Sequence, residues 1–369
     1  MKIKTLTTFD VYNYGASLQA YALMRFLTEN GNDVEIIDYQ PEYLTRKYNY
    51  KWVNPESPLS RNAITRTLYR FMKYVQRQTT LKRKRSFDKF HNDYLKRTSK
   101  RYYTPQDLQE YPPEADTYIV GSDQVWNVFY ETGRDDSFFL SFVDAGKKIA
   151  YAASFSYLDL DDFQQKRIRK LLLSFSAIGV REYHGAQLLD KLNLESTWVL
   201  DPVFLLSKEC WGNLVDKYES KDQYLLVYDF ENNKEIKLFA EKYAEKHNLK
   251  IYSINDTYPC MYADKNFNDA GPLEFLSLIQ GCSAFVSNSF HGTAFSIMFN
   301  KPVFVFNRKR HNVNSRMESL MSLFGLKKCI YSEYSPNIIM DIPNIDYDII
   351  NSTIDNERKK SIDFLLNNL

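Results

Sequence analysis

KIKTLTTFDVYNYGASLQAYALMRFLTENGNDVEIIDY, residues 2–39, decides the fold. Residues 2–8 alternate as a half-buried strand does, and FDVYNYGA reads as a loop. From Ser17 to about Asn30, Leu18, Ala22 and Phe26 recur at every fourth position, with Leu23 and Leu27 beside them. That is the spacing of one helix face, and Gly31 ends it. DVEIIDY, 33–39, is the next strand. Two strands with a helix between them form a βαβ unit, and hence a parallel sheet.

The same rhythm continues outward through TYIVGS (117–122), KIAYAASF (148–155), a helix near 161–175 and AIGVRE (177–182). A charged stretch at 207–222 reads as a linker. A second series then runs through QYLLVYDF (223–230), a helix at 232–249, KIYSIN (250–255), a helix at 272–282, AFVSNS (284–289), a helix at 291–299 and KPVFVFN (301–307). Two successive α/β series predict two Rossmann-like doubly wound domains facing a cleft, 1–206 and 207–350. Residues 351–369 are expected to form a terminal helix that packs back on the first domain. The segment at about 45–105 fits neither series and reads as a basic insertion.

A chain of 369 residues has room for two cores, and 44% hydrophobic with 25% charged residues is ordinary for a globular protein. A net charge of +2 argues against a surface built as a whole to hold nucleic acid. The 28 Tyr and 25 Phe supply bulky core, and some Tyr suit a site for sugar rings. Cys210, Cys260, Cys282 and Cys329 are scattered, with no CxxC and no histidine at zinc spacing, so neither a disulfide framework nor a metal site is expected. The start lacks a signal-peptide core and no apolar run is long enough to span a bilayer, which points to the cytoplasm. Residues 61–101 hold 14 Lys/Arg against Asp88 and Asp93, interleaved with aromatics. This reads as a solvated helical face or as a surface for anionic lipid headgroups or a lipid-linked diphosphate; no nucleic-acid module is recognisable in it.

In open α/β sheets, ligands bind beyond the carboxyl ends of the strands. Three strand-to-helix turns there are polar. DVYNYGAS contains Asn13, Tyr14 and Gly15; GSDQVWN contains Ser122, Asp123, Gln124 and Asn127; SNSFHGTAFS contains Asn288, Ser289, His291, Gly292 and Thr293. His291 is placed at a helix start, where backbone N–H groups favour an anion, and an imidazole exchanges protons near neutrality. Arg181, after AIGV, and Arg308, Lys309, Arg310 and Arg316, after KPVFVFN, are candidates to clamp that anion.

NYGASLQAYAL, GSDQVWN, VRE (180–182), VLDPVFLL (199–206), GPLEFLSLI, SNSFHGTAFSIMFNKP and NSR (314–316), in this order over roughly 5–330, resemble the polysaccharide pyruvyl transferase family. The resemblance implies a fold similar to GT-B glycosyltransferases. It also implies transfer of the enolpyruvyl carbons of phosphoenolpyruvate to two sugar hydroxyls, giving a cyclic ketal and phosphate, with no resident cofactor. By it His291 is the proton carrier, Arg181 the first choice for the donor's carboxylate or phosphate and Arg316 the second. Asp123 and Asp201 become candidates to stabilise a cationic centre. The acceptor is implied to be a glycan, often carried on a polyprenyl diphosphate at the inner membrane face. Better-known members carry arginine where this chain has Ser289. Either Arg308, Arg310 or Arg316 supplies that charge, or the donor and acceptor are arranged differently. A GT-B glycosyltransferase using a nucleotide sugar and a non-catalytic glycan-binding member are the alternatives.

Overall fold

The computed structural model describes residues 1–46, 53, 57–156, 160–255, 259–309, 314–335 and 344–369, and of residues 72–79 only the backbone. The first domain is a parallel sheet of β1 (Lys2–Leu6), β2 (Asp33–Tyr39), β3 (Arg97–Tyr102), β4 (Thr117–Val120), β5 (Lys147–Ala153), β6 (Ala177–Val180) and β7 (Thr197–Trp198), in the order β3-β2-β1-β4-β5-β6-β7. The second contains β8 (Tyr224–Tyr228), β9 (Lys250–Ser253), β10 (Lys265–Asn266), β11 (Ala284–Ser287), β12 (Val303–Phe306) and β13 (Ile330–Tyr331), in the order β10-β9-β8-β11-β12-β13. Both are Rossmann-like orders. Each reverses its winding once, between β1 and β4 and between β8 and β11, and those switch points are where crevices form.

Three segments differ from expectation. The stretch at 45–105 is not foreign to the sheet: the Ala63–Tyr94 helix leads into β3, which pairs parallel with β2. RTSKRY is an edge strand exposed to water, so it carries no apolar run to betray it. The supposed linker contains a short helix, Lys208–Gly212, whose Trp211 is fully buried. Its indole N–H donates to the Val203 carbonyl (2.9 Å), and its ring meets Phe295 edge-on at 5.0 Å. The last helix begins at Tyr347 rather than 351.

One apolar cluster runs through both domains. At its centre Tyr14 stacks on Phe275 of the second domain at 4.4 Å and its hydroxyl donates to the Ala270 carbonyl (3.0 Å). The Tyr347–Asn367 helix lies on the first domain: Ser361 Oγ accepts from the Leu200 N–H (2.9 Å), and Arg358 donates to the Phe204 carbonyl (2.5 Å). Gly179 has no side chain because Phe364 lies where a Cβ would go, 2.8 Å away.

Candidate active site

Both switch points meet at one place. After β1, Asn13 caps the Tyr14–Glu29 helix, its Oδ1 accepting from the Ala16 N–H (3.2 Å). This sets Gly15 in the first turn. A Cβ there would stand 1.9 Å from His291 Nδ1, so the imidazole of the second domain rests directly on the Gly15 backbone. After β4, Asp123 adopts φ +80°, a left-handed backbone that a non-glycine residue adopts only when its surroundings compel it. A bridge to Ala153 and the Ser154 N–H on its carbonyl (3.1 Å) supply that compulsion. Thr8 Oγ1 donates to the Asp123 carboxylate at 3.3 Å.

On the facing side, β11 ends at Ser287. The Asn288 side chain donates to Asp229 (2.8 Å) and accepts from the Phe230 N–H (3.0 Å), which fixes the turn. The helix starts at Phe290, one residue before the expected position, with Ser289 as its cap. Ser289 Oγ accepts from the Gly292 N–H (3.2 Å), so that donor is not available to an anion. Gly292 and Thr293 are buried, and a Cβ on Gly292 would press on the Phe285 ring at 2.8 Å. Asn13, Asn288, Ser289 and Gly292 therefore shape the backbone, and His291 is the titratable side chain of this turn.

Around His291 lies a buried charge cluster. Asp201 accepts from Arg181 Nη1 (2.9 Å), Ser122 Oγ (2.8 Å) and the Val203 N–H (3.1 Å), and His291 Nε2 is 3.4 Å away. Burial alone would raise the Asp201 pKa, but His291 and Arg181 outweigh it and hold the carboxyl well below the usual range. Arg181 has capacity left: its Nε and Nη2 find no hydrogen-bond partner among the described residues, and Nη2 is 3.9 Å from Asp123. Its guanidinium sits 4.5 Å from the Phe290 ring centre, and that of Arg316 lies 5.8 Å from the same ring. Arg316 is 8% exposed and forms no ion pair within 4 Å among the described residues. Burial, then the like charge of Arg181, pushes its pKa down to about 10. Of the two buried guanidinium groups sharing this ring, Arg181 is paired with Asp201 while Arg316 has no ion-pair partner within 4 Å among the described residues, and guanidinium forks suit phosphate and carboxylate.

The other candidates fall elsewhere. Arg308 is spent on Glu231 (3.0 Å), and Arg310 lies outside the described residues. Tyr14 is the bolt between domains and lines no cleft. Asn127 is buried and holds its own turn through Gln124 and the Phe129 N–H (both 3.1 Å). Gln124 and Asp123 open instead on a cavity of about 250 Å³, with Thr8, Tyr43, Tyr130 and Glu131 around it. Sequence reasoning missed Phe290 and Glu182 as organisers. Glu182 accepts from Ser154 Oγ (3.0 Å) and the N–H groups of Phe155 (2.9 Å) and Ser156 (3.0 Å). The aromatic between Ser289 and His291 was a visible signal for Phe290, but nothing local separates a cation platform from core. Among the described residues no group of three or more His, Cys, Asp or Glu is placed to hold a metal ion, and no helix is long and apolar enough to cross a membrane.

The pattern of polysaccharide pyruvyl transferases matches residues 13–310, which include the Asn13–Gly15 turn and the Arg181–Asp201–His291 cluster. The chain belongs to the polysaccharide pyruvyl transferase family. No curated protein matches the sequence of this family member. Among solved structures it is similar to one from Listeria monocytogenes assigned as a UDP-N-acetylglucosamine 2-epimerase, at 8% identity and TM-score 0.50, over 99% of this chain and 90% of that one. It is also similar to UDP-GlcNAc 2-epimerase from Neisseria meningitidis (12%, TM-score 0.47, 100% of both chains). A further similar structure is the glycosyltransferase SnogD from Streptomyces nogalater (8%, TM-score 0.45, 99% and 95%). At such identities the likeness concerns fold: this pyruvyl transferase family member has two parallel α/β domains in the GT-B-like arrangement.

Proposed function

We propose that the protein transfers the enolpyruvyl group of phosphoenolpyruvate to two hydroxyls of a polysaccharide or its precursor, forming a cyclic ketal. The observation that carries this reading is the Arg181–Arg316 pair about Phe290, buried beside His291, with Arg181 Nε and Nη2 lacking a hydrogen-bond partner and Arg316 lacking an ion pair among the described residues. One arginine takes the donor's carboxylate and the other its phosphate. In the reaction the donor's methylene carbon gains one proton, which leaves a cationic carbon at C2. Two sugar oxygens bond to that carbon, each losing a proton, while the carbon–oxygen bond to phosphate breaks and phosphate keeps the electron pair. One of the two released protons balances the proton taken up at carbon and the other leaves with phosphate. His291, held by Asp201 and seated on Gly15, carries the proton to or from the reacting atoms. Asp123, with its strained backbone, faces the cavity of about 250 Å³, which would receive the acceptor, and takes the hydroxyl proton or steadies the cationic carbon.

The deciding experiment incubates the protein with phosphoenolpyruvate and a panel of sugars, and follows phosphate release together with the ketal methyl signal by NMR. Phosphate and ketal in step, both abolished in Arg316→Met, are expected. Release of nucleoside diphosphate from a nucleotide sugar instead would replace this reading with a glycosyltransferase. Binding of glycan without turnover of either donor would leave a silent member.

A further inference from the structure

The Ala63–Tyr94 helix has two unlike halves. Its C-terminal half is docked: Phe87, Phe90 and His91 are buried, and Ser86 Oγ donates to the Asp269 carbonyl of the second domain (3.1 Å). Arg83, only 2% exposed, donates to the Tyr14 hydroxyl and to the Tyr12 carbonyl (3.1 Å). The basic run Lys82–Arg85 is thus partly structural and is not a free charged face.

The first turns are the reverse. Ile64, Leu68 and Phe71 are 81%, 54% and 67% exposed. Spaced i, i+4 and i+7, they form one stripe about 60° wide on the helix. From Ser57 to Phe87 the sequence has no Asp or Glu and nine Lys/Arg: Arg61 just precedes the helix, and Arg66 and Arg70 lie on the face opposite the stripe, as basic residues do on the polar face of an interfacial helix. A helix that only met water would not hold three large apolar groups in line, stripped of every acidic neighbour.

We propose that the first two turns of this helix lie in the interfacial layer of an anionic lipid bilayer. Ile64, Leu68 and Phe71 enter the boundary between headgroups and acyl chains, while Arg61 at the helix start and Arg66 on the opposite face supply the charge that draws the helix to an anionic surface. Nucleic acid fits less well, because Ile64 and Leu68 give bases nothing to stack on. A second copy also fits less well, since a two-fold contact would set this uniformly basic helix against itself. The docking does not depend on the reaction proposed above.

Full-length protein is sedimented with vesicles of phosphatidylcholine alone or mixed with phosphatidylglycerol, at low and high salt. Retention on the anionic vesicles, weakened by salt, is expected. Replacing Ile64, Leu68 and Phe71 together by Ser should lower it by roughly tenfold or more, as the area-dependent part of interfacial binding is lost. Arg61→Glu with Arg66→Glu should abolish the preference for phosphatidylglycerol, and circular dichroism should show both variants folded. No retention of the unaltered protein, or equal retention of the Ser variant, overturns the proposal. So does a stripe whose loss only converts a dimer to a monomer in gel filtration, or one that retains single-stranded DNA in preference to vesicles.

Discussion

His91 and His291 are both buried, and each has an aspartate oxygen 3.4 Å from a ring nitrogen. Both aspartates, Asp10 and Asp201, are held below the usual carboxylate range, because in each case the burial that would raise the pKa is outweighed by nearby positive charge, the histidine's foremost. Their surroundings differ. The second ring nitrogen of His91 shares a hydrogen bond with Ser17 Oγ at 2.8 Å, and its ring is packed against Phe9, Tyr12, Phe87 and Phe90. The cations lining the cavity of about 470 Å³ next to it have partners: Lys84 with Asp88, Arg101 with Asp38, Arg97 with Asn92. Around His291, Arg316 and part of Arg181 have none among the described residues. A buried imidazole with a carboxylate is therefore common to a fastener and to a reaction site. A buried guanidinium with no ion-pair partner among the described residues, that of Arg316, tells them apart.

The largest expected effect separates the two histidines. His291→Gln should lower turnover by about 10²–10⁴ in a chain that circular dichroism still shows folded. His91→Gln should cost about 1–2 kcal/mol in urea unfolding and alter turnover only a few-fold. Equal effects on turnover would erase the distinction. Next in size, Gly15→Ala should push the imidazole aside and lower kcat by about 10², since small displacements of an aligned group are expensive; circular dichroism should show the fold intact. A smaller effect is expected of Arg316→Lys, which keeps the charge but loses the fork: KM for phosphoenolpyruvate should rise about tenfold. The matching change at the paired Arg101, Arg101→Lys, should leave KM alone.

The smallest effect concerns acid. Asp201 titrates lower in the folded chain than unfolded, so its share of stability is complete above about pH 4 and is lost as pH falls through its lowered value. Asp201→Asn should lower stability at neutral pH, because it strips Arg181 of its partner, and should flatten the decline below about pH 4. Unfolding free energy measured against pH gives the slope. An unchanged slope would mean that Asp201 is not the ionised partner described above.

Much of the fold was legible because parallel sheets buried on both faces write themselves as apolar runs such as YLLVY and VFVF. β3 was not, since an edge strand of Arg, Thr, Ser and Lys has no such run. In the site, His291, Arg181 and Asp123 were readable from polar residues at strand ends. Tyr14 was misplaced in the cleft because its partner Phe275 lies 261 positions away in another domain, a contact no local pattern encodes. Arg83 was hidden for the opposite reason: one buried arginine inside a basic run looks like its solvated neighbours. Arg316 is already the second choice for the donor from its place in NSR, and the structure removes Arg308 as a rival by pairing it with Glu231.

The Tyr347–Asn367 helix has a consequence for the order of assembly. It covers Gly179 of β6 and the Leu200–Phe204 stretch after β7, yet it is synthesised after the whole second domain. The first domain therefore cannot finish folding as the chain emerges. It waits with one apolar flank bare until its neighbour is made, an interval in which chaperone capture or misassociation competes with closure.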